Sequence, residues 1–156
     1  MRWVSNSGWG VSYKRPVSVL VVIYTAGGEV LLIERADHPG FWQSVTGSQD
    51  EGESLADTAA REVREETGIA AAEHVLTDWQ HSIEYEIYPH WRHRYAPGVT
   101  RNTEHWFGLQ LNSPVTPILS PREHVDSVWL PWQQAAEKVF SPSNAEAIRM
   151  LAEKVR

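Results

Sequence analysis

Three acidic residues near the middle of the chain have the spacing of one helix face. Glu62, Glu65 and Glu66 stand at positions i, i+3 and i+4, so an α-helix would bring their carboxylates to the same side. Like charges so placed repel each other, at roughly a few tenths of a kcal/mol for each close pair. A divalent cation among the oxygens would offset that repulsion, since Mg²⁺ prefers carboxylate ligands and leaves room for substrate phosphate. The alternative interpretation is a solvated acidic face of a helix.

Hydrolysis of a polyphosphate is the chemistry that such a cluster would support. Bound metal ions would neutralise and orient the phosphates and lower the pKa of the water that attacks phosphorus. A carboxylate beside that water would act as the general base. Glu66 is one candidate, and Glu123, in a proline-flanked loop before a predicted strand, is another. Taken on residue type alone, Glu123 is better interpreted as an ordinary solvated acid.

Basic residues that could hold phosphates flank the first two predicted strands. Lys14 precedes the first strand and Arg35 follows the second, although exposed cations at strand ends are an equally good interpretation. A basic and aromatic segment, residues 89–102, could be a phosphate- or base-binding loop, an RNA-contacting surface or a subunit contact. Small-ligand and structural roles rank above RNA, because the chain has a formal net charge of −6. The segment includes His90, Trp91, Arg92, His93, Arg94, Tyr95 and Arg101.

Length and composition fit a single cytoplasmic domain. The 156 residues are expected to form one domain, 13–156, after a flexible arm, residues 1–12. Cysteine is absent, which excludes disulfides and thiolate metal sites and fits a cytoplasmic protein. No apolar run reaches the length of a membrane span, and no signal peptide is expected. The sequence also lacks the residue spacing of a zinc site and the Gly-rich loop of P-loop nucleotide hydrolases.

Alternating strands and helices are predicted to position these side chains in an α/β layered sandwich. Runs of β-branched and apolar residues predict strands at 16–24, 29–34, 75–88, 104–111 and 125–130.

The acidic cluster is predicted to lie on the first helix. That helix would begin near Ser54, with Asp57 completing a capping box, and end at a Gly68 C-cap. Its buried stripe would comprise Ala56, Ala59, Ala60 and Val63. Later helices are predicted at 133–139 and from a capping box at Ser143 and Glu146 to about Lys154.

Residues 47–69 match a known pattern at every specified position. The segment GSQDEGESLADTAAREVREETGI reads Gly, five residues, Glu, seven residues, then Arg-Glu-apolar-x-Glu-Glu-x-Gly-apolar. It resembles the Nudix box, and the chain is identified as a member of the Nudix hydrolase superfamily. The resemblance implies an α/β/α sandwich with a mixed central sheet, and Mg²⁺-dependent hydrolysis with Mn²⁺ as a substitute ion. Within the box, Arg61 is expected to pair with Glu53, and Gly47 and Gly68 are expected to serve the backbone geometry.

Longer parts of the chain resemble one bacterial subfamily, which removes pyrophosphate from 7,8-dihydroneopterin triphosphate in folate biosynthesis. The similar stretches are 13–24, 41–53, 93–107 and 122–130. Thr46-Gly47-Ser48 also replaces the Pro-Gly-Gly that other members carry before the box. The resemblance therefore implies hydrolysis of this triphosphate to dihydroneopterin monophosphate and pyrophosphate. Two alternatives stay open: a housecleaning pyrophosphatase for dATP or oxidised dGTP, and a non-catalytic nucleotide-sensing module, against which the three intact glutamates argue.

The resemblance also implies roles for individual positions. Glu62, Glu66 and Glu123 would be the metal ligands with Glu65 close by, and catalysis would depend on Glu65, Glu66 and Glu123. Substrate contacts would be Lys14, Arg35, Thr46, Ser143 and an exposed strand formed by Tyr85, Glu86, Ile87 and Tyr88, whose backbone would read the ring edge. The implied partner is a small-molecule triphosphate. Nucleic acid and membrane are not expected as partners, and both a monomer and a homodimer are compatible with the sequence.

Overall fold

The described residues of this computed structural model, 4–5 and 12–155, form nine strands and three α-helices. The strands are β1 (Val4–Ser5), β2 (Ser12–Tyr13), β3 (Val17–Thr25), β4 (Glu29–Arg35), β5 (Trp42–Gln43), β6 (Val45–Ser48), β7 (Val75–Glu86), β8 (Arg101–Leu111) and β9 (His124–Pro131). The helices are α1 (Leu55–Thr67), α2 (Trp132–Lys138) and α3 (Pro142–Arg149), and 3₁₀ turns occupy Ala71–Glu73, Pro89–Arg94 and Met150–Glu153. None of the described helices combines the length and the apolar character that crossing a membrane requires.

Strand β3 lies at the centre of a seven-stranded mixed sheet, where it is buried on both faces. The strands follow the order β5, β4, β3, β8, β7, with β6 also paired to β3 and β9 to β4. The pairing of β3 with β8 is parallel, and the remaining pairs are antiparallel. This order places Ser18 of β3 between Ser48 of β6 and Glu104 of β8, so residues distant in sequence meet in one row.

Successive residues of β3 belong to two separate cores, because side chains alternate between the faces of a strand. Val19 and Val21 pack in the core that α1 covers. Leu20 and Val22 pack in the core that α2 and α3 cover. Helices therefore cover both faces of the sheet, and the predicted α/β/α sandwich with a mixed central sheet is confirmed.

Helix α1 begins and ends at the predicted residues. Ser54 caps it by accepting a hydrogen bond from the Asp57 N–H at 3.1 Å. Gly68 follows its last turn with φ 74°, a left-handed conformation that favours glycine, and its N–H donates to the Arg64 carbonyl. The acidic cluster is therefore held on a helix that is fixed at both ends.

The buried stripe of α1 differs from the predicted one at its start. Ala59 and Val63 are fully buried, but Ala56 is exposed and Leu55 packs against the core in its place. Leu55 lies two turns before Glu62, which is near the centre of the buried face, whereas Ala56 is rotated about 100° from Leu55. The prediction for Ala56 is therefore wrong.

Two features around the predicted strands were not anticipated. Short strands β5 and β6 precede the helix, where the sequence indicated only a connecting segment. Strand β7 ends at Glu86, so Ile87 and Tyr88 lie beyond it and not within the predicted strand 75–88. The other strands lie near their predicted positions.

The last helix begins earlier than predicted. Ser141 caps α3 by accepting a hydrogen bond from the Asn144 N–H, and Ser143 lies in the first turn. Pro142 explains the shift, because proline favours the first helical position, where its fixed φ fits and its missing N–H is not needed. The α-helix ends at Arg149 and continues as a 3₁₀ turn.

Most of the predicted arm, residues 1–12, lies outside the described residues. Its described strand β1 pairs antiparallel with β2, which extends from Ser12 of the arm to Tyr13 of the predicted domain. Its separation from the domain 13–156 stays a prediction.

Candidate active site

One cavity, of about 440 Å³, is lined by residues from strands β3 to β8, helix α1 and the start of α3. Its size is that of a small-molecule site. Every predicted metal or substrate residue except Glu65 lies on its wall, although the role of each stays a prediction. These residues are Lys14, Arg35, Thr46, Glu62, Glu66, Tyr85, Glu86, Ile87, Tyr88, Glu123 and Ser143.

Two parts of the wall carry buried carboxyl groups. We refer to Glu62, Glu66 and Glu123 as the helix end, because α1 supplies two of the three. We refer to Tyr85, Asn102 and Glu104 as the strand end, because β7 and β8 supply them.

At the helix end, α1 holds Glu62 and Glu66 four residues apart, and they are 2% and 4% exposed. Glu62 can lie against β6 because Gly47 has no side chain. A Cβ at Gly47 would overlap the Glu62 carboxyl. The predicted close approach at Gly47 therefore allows the Glu62 carboxyl of α1 to pack against β6.

Burial opposes the ionisation of both carboxyls. Burial raises the pKa of Glu66 well above its usual value, and the charges of Glu62 and Glu123 act in the same direction. Burial also raises the pKa of Glu62, while the Arg61 guanidinium lowers it. The protein groups alone therefore compensate poorly for two negative charges at this position.

These carboxyls fit a divalent cation. Oε1 of Glu66 is buried and accepts no hydrogen bond from the described residues; the nearest imidazole nitrogen, Nε2 of His124, is 3.8 Å away. Burial lowers the pKa of His124 to about 4, so its ring carries no charge that would balance Glu66. Glu123 adds a third carboxylate to the wall. Among the described residues, no group of three or more acidic or histidine side chains is already arranged to hold a metal ion.

Arg61 fastens the segment before α1 to the helix. Its guanidinium donates two hydrogen bonds to Glu53, at 2.8 and 2.9 Å, and one to the Ser48 carbonyl at 2.9 Å. The predicted pair of Arg61 and Glu53 is confirmed. The Thr58 hydroxyl also donates to Glu53, and these hydrogen bonds, chiefly those from Arg61, lower the pKa of Glu53 to about 2.

Glu65 is the predicted site residue that does not line the cavity. Its carboxyl is 30% exposed and accepts a hydrogen bond from Nη1 of Arg61 at 3.3 Å. The fold therefore brings Glu62 and Glu66 to the cavity and leaves Glu65 beside Arg61. Its role as a ligand or catalytic group stays a prediction.

Lys14, Arg35 and Arg94 supply positive charge to the cavity wall. The pKa of Lys14 is lowered to about 8, mainly by burial and also by Arg94, whereas Glu62 acts in the opposite direction. Arg35 donates two hydrogen bonds to Asp37, each of 2.8 Å. These three cations place positive charge on the part of the wall formed by Lys14, Arg35 and Arg94, which suits an anionic ligand.

The basic and aromatic segment divides between the cavity and the surface. Trp91 and Arg94 line the cavity, and the Arg35 guanidinium lies 4.5 Å from the centroid of the Trp91 ring. Arg101 instead pairs with Glu84 at 2.6 Å, and both side chains are exposed. Part of the segment thus lines the cavity, while the RNA-surface and subunit-contact interpretations stay predictions.

The residues from Tyr85 to Tyr88 do not form one exposed strand edge. Ile87 is 3% exposed, and its N–H donates to the Thr100 carbonyl at 2.8 Å. That amide is therefore already bonded within the protein. The four residues line the cavity, and their contacts with a ligand stay a prediction.

Hydroxyl groups at two other predicted contacts are held in place by neighbours. The Thr46 hydroxyl accepts a hydrogen bond from the Gln43 amide at 3.3 Å. The Ser143 hydroxyl shares a hydrogen bond with Ser141 at 2.9 Å. Each retains capacity for a further hydrogen bond to an anionic ligand.

Sequence reasoning missed the polar residues of β8 and also His124. Glu104 accepts a hydrogen bond from Nε1 of Trp106 at 3.0 Å. Asn102 donates to Ser18 at 2.7 Å and to the Tyr85 hydroxyl at 3.1 Å. A signal was present in the sequence: Asn102, Glu104 and Trp106 alternate along a strand, so two polar residues share the face of a large aromatic one.

Comparison with known proteins finds relatives along nearly the whole chain. A family model described as NUDIX domain matches residues 14–151. Dihydroneopterin triphosphate diphosphatase of Escherichia coli (strain K12) is 50% identical over 139 residues, which cover 87% of this chain and 91% of that protein. The protein of the same name from Haemophilus influenzae is 44% identical over 142 residues, which cover 89% of each chain.

A solved structure shares this fold. The structure of the E. coli dihydroneopterin triphosphate pyrophosphohydrolase matches with a TM-score of 0.85 and 48% sequence identity, covering 92% of this chain and 99% of that chain. The family match spans every residue that lines the cavity, from Lys14 to Asn144.

Proposed function

The chain belongs to the Nudix family, and we propose that it hydrolyses 7,8-dihydroneopterin triphosphate to dihydroneopterin monophosphate and pyrophosphate. The observation that carries the proposal is the identity of half the aligned residues with a dihydroneopterin triphosphate diphosphatase along most of both chains. The cavity supports it, because one part offers carboxyls and cations for a polyphosphate and another offers polar groups for a heterocycle. The chain is thus a Nudix hydrolase that acts on a phosphoric anhydride bond.

Nudix hydrolases generally use divalent metal ions, and the helix end fits one. We infer that the ion is Mg²⁺, with Mn²⁺ as a substitute, and that Glu62, Glu66 and Glu123 hold it through their carboxylate oxygens. When bound, the ion supplies charge neutralisation to the phosphates and a lowered pKa to the attacking water. The buried, mutually repelling carboxyls are the feature of this chain that supports the assignment.

The other groups of the cavity bind and orient the triphosphate. Lys14 and Arg35 would attract the phosphates, and the Thr46 hydroxyl would donate a hydrogen bond to them. Glu66 or Glu123 would take the proton of the attacking water as an anhydride bond breaks and pyrophosphate leaves. Position and charge account for most of the rate, since phosphoryl transfer demands little covalent participation from the protein.

Product analysis tests this proposal. Protein incubated with dihydroneopterin triphosphate and Mg²⁺ should release dihydroneopterin monophosphate and pyrophosphate in equal amounts, resolved by ion-exchange chromatography. Release of orthophosphate in place of pyrophosphate would contradict the assigned bond cleavage. Absence of turnover would contradict the proposal altogether.

The substrate is a small molecule, and we propose further that neither nucleic acid nor a membrane is a partner. We also propose a cytoplasmic location, from the lack of cysteine, and a single domain over residues 13–156.

A further inference from the structure

The strand end holds more hydrogen-bond acceptors than the protein satisfies. Glu104 is 4% exposed, and within the described residues its carboxyl accepts one hydrogen bond, from Trp106 to Oε1. Asn102, two residues earlier on the same face of β8, is 1% exposed, and its Oδ1 has no partner in the described part of the chain. Buried acceptors are normally paired, so unpaired ones beside a cavity indicate a ligand that brings donors.

Neighbouring groups fix the position of these acceptors. The Asn102 amide nitrogen donates to Ser18 and to the Tyr85 hydroxyl, which directs its amide oxygen elsewhere. Tyr85 faces Asn102 across the β7–β8 pair, and its hydroxyl keeps a proton of its own to donate. The strand end therefore offers acceptors at Glu104 and Asn102 and a donor at Tyr85.

No cation among the described residues pairs with Glu104. Burial raises the pKa of Glu104 to about 7, and the hydrogen bond from Trp106 acts in the opposite direction. Tyr85 and Tyr95 are the ionisable neighbours, and Glu104 contributes to the raised pKa of each phenol. A ligand that donates N–H groups would therefore stabilise the carboxylate where the protein itself does so weakly.

We propose that Glu104, assisted by Asn102, reads the amino-pyrimidinone edge of the substrate ring and determines its specificity. The inference rests on the proposed function, which supplies a dihydropterin as the ligand. Pterin and guanine both present an exocyclic amine, a ring N–H and a carbonyl in succession. Two carboxylate oxygens match the two donors, and the Tyr85 hydroxyl matches the carbonyl. Adenine presents a ring acceptor beside its amine, which would leave Glu104 facing a lone pair.

Glu104→Gln tests this role, because glutamine keeps the size and one oxygen but replaces the other with a donor. The nucleotides dGTP and dITP differ only in the exocyclic amine, so their ratio of kcat/KM isolates one ligand donor. We expect the wild-type protein to favour dGTP by about 10- to 100-fold, the typical value of one hydrogen bond to a charged group. In Glu104→Gln the ratio should fall to about one.

A binding measurement removes phosphate and metal from the test. Dihydroneopterin, which carries no phosphate, should bind Glu104→Gln at least about tenfold more weakly than wild type in a fluorescence titration without added metal. Glu84→Gln is the matched control, because Glu84 is an exposed carboxylate of β7 outside the cavity. It should leave the nucleotide ratio and the pterin affinity unchanged.

The outcomes separate this inference from the proposed function. An unchanged ratio of dGTP to dITP in Glu104→Gln, or equal binding of dihydroneopterin, would overturn the inference. An equal loss for dGTP, dITP and dATP would also overturn it, since that indicates a general structural role. If dihydroneopterin triphosphate is not hydrolysed while the dGTP to dITP ratio still depends on Glu104, the proposed function fails and the reading of the ring edge stands.

Discussion

The helix end and the strand end of the cavity both bury carboxyl groups, but they balance them differently. At the helix end, Glu62 lies 3.2 Å from the Arg61 guanidinium, and that arginine is bonded in turn to Glu53. At the strand end, Glu104 has an indole N–H as its donor, and no cation of the described residues lies beside it. The first arrangement concentrates charge, whereas the second leaves an acceptor whose ionised form needs a partner.

This difference separates the reaction from the choice of substrate. Charge gathered on a fixed helix suits a divalent cation and a polyphosphate, which are common to many substrates. A buried hydrogen-bond acceptor whose position is fixed by neutral neighbours suits the N–H groups of a particular ring. Changes at the helix end should therefore alter turnover of every substrate, and changes at the strand end should alter selectivity and the pH dependence of stability.

Loss of charge at the helix end should give the largest effect. Glu66→Gln should lower kcat for pyrophosphate release by about a thousandfold, because it removes a metal ligand or the general base. The variant should still fold, since glutamine avoids the burial of a charge. Steady-state kinetics and thermal unfolding check both expectations, with the exposed Glu51→Gln as control. Near-normal turnover by folded Glu66→Gln would contradict the assignment of the reaction to the helix end.

Glu104→Gln, the carboxylate-to-amide change at the strand end, should stabilise the protein at alkaline pH. Burial raises the pKa of Glu104 from 4.5 to about 7, so the neutral acid favours folding. That contribution is complete below about pH 4.5 and is lost as the pH rises through 7. Glu104→Gln should therefore exceed wild type in unfolding free energy at pH 8 by up to about 3 kcal/mol.

Urea unfolding at pH 8 and pH 4 measures this difference, which should be absent at the lower pH. Destabilisation of Glu104→Gln at pH 8 would contradict this expectation, because it would mean that groups within the protein stabilise the Glu104 carboxylate.

The packing of the Glu62 carboxyl against Gly47 gives a third test. Gly47→Ala should cost about 1–3 kcal/mol and lower kcat, because the new Cβ would displace the Glu62 carboxyl. Gly27→Ala is the control, since a Cβ there meets only the Thr25 hydroxyl, at an ordinary 3.7 Å. Wild-type stability and kcat in Gly47→Ala would show that close packing on β6 does not position Glu62.

The smallest effect is expected where Arg61 holds Glu53. Hydrogen bonds from Arg61 lower the pKa of Glu53 from 4.5 to about 2, so its stabilising contribution is present above pH 4.5 and is lost as the pH falls through 2. Glu53→Gln should cost about 1.5 kcal/mol at pH 7, measured by urea unfolding. The difference in unfolding free energy between wild type and Glu53→Gln should disappear as the pH falls from 4.5 to 2. A difference in unfolding free energy that does not depend on pH would mean that packing, and not the charge of Glu53, causes the loss of stability.

The α1 part of the helix end could be predicted from the sequence because it is local, whereas Glu123 was assigned only through the resemblance. Glu62 and Glu66 lie one turn apart, and Arg61 bonds to Glu53, which is eight residues earlier and immediately precedes the N-cap of the same helix. Asn102 and Glu104 of the strand end were missed, because their surroundings depend on the pairing of β8 with β3 and with β7. Ser18 and Asn102, 84 residues apart, meet only after that parallel pair forms. The pattern of a strand gives the face of a residue but not the neighbour it will meet.

Local detail also failed where two signals competed. Both Ser141 and Ser143 are good caps, and the position of Pro142 decided between them.

The most direct test of the whole account compares substrates on the wild-type protein. Pyrophosphate release with Mg²⁺ should be measured for dihydroneopterin triphosphate and for dATP and dGTP at equal concentrations. We expect a kcat/KM for the pterin that exceeds the value for either nucleotide by at least about tenfold. A preference for a nucleotide would contradict it and favour a housecleaning pyrophosphatase, and failure to hydrolyse any of the three would contradict the chemistry assigned to the helix end.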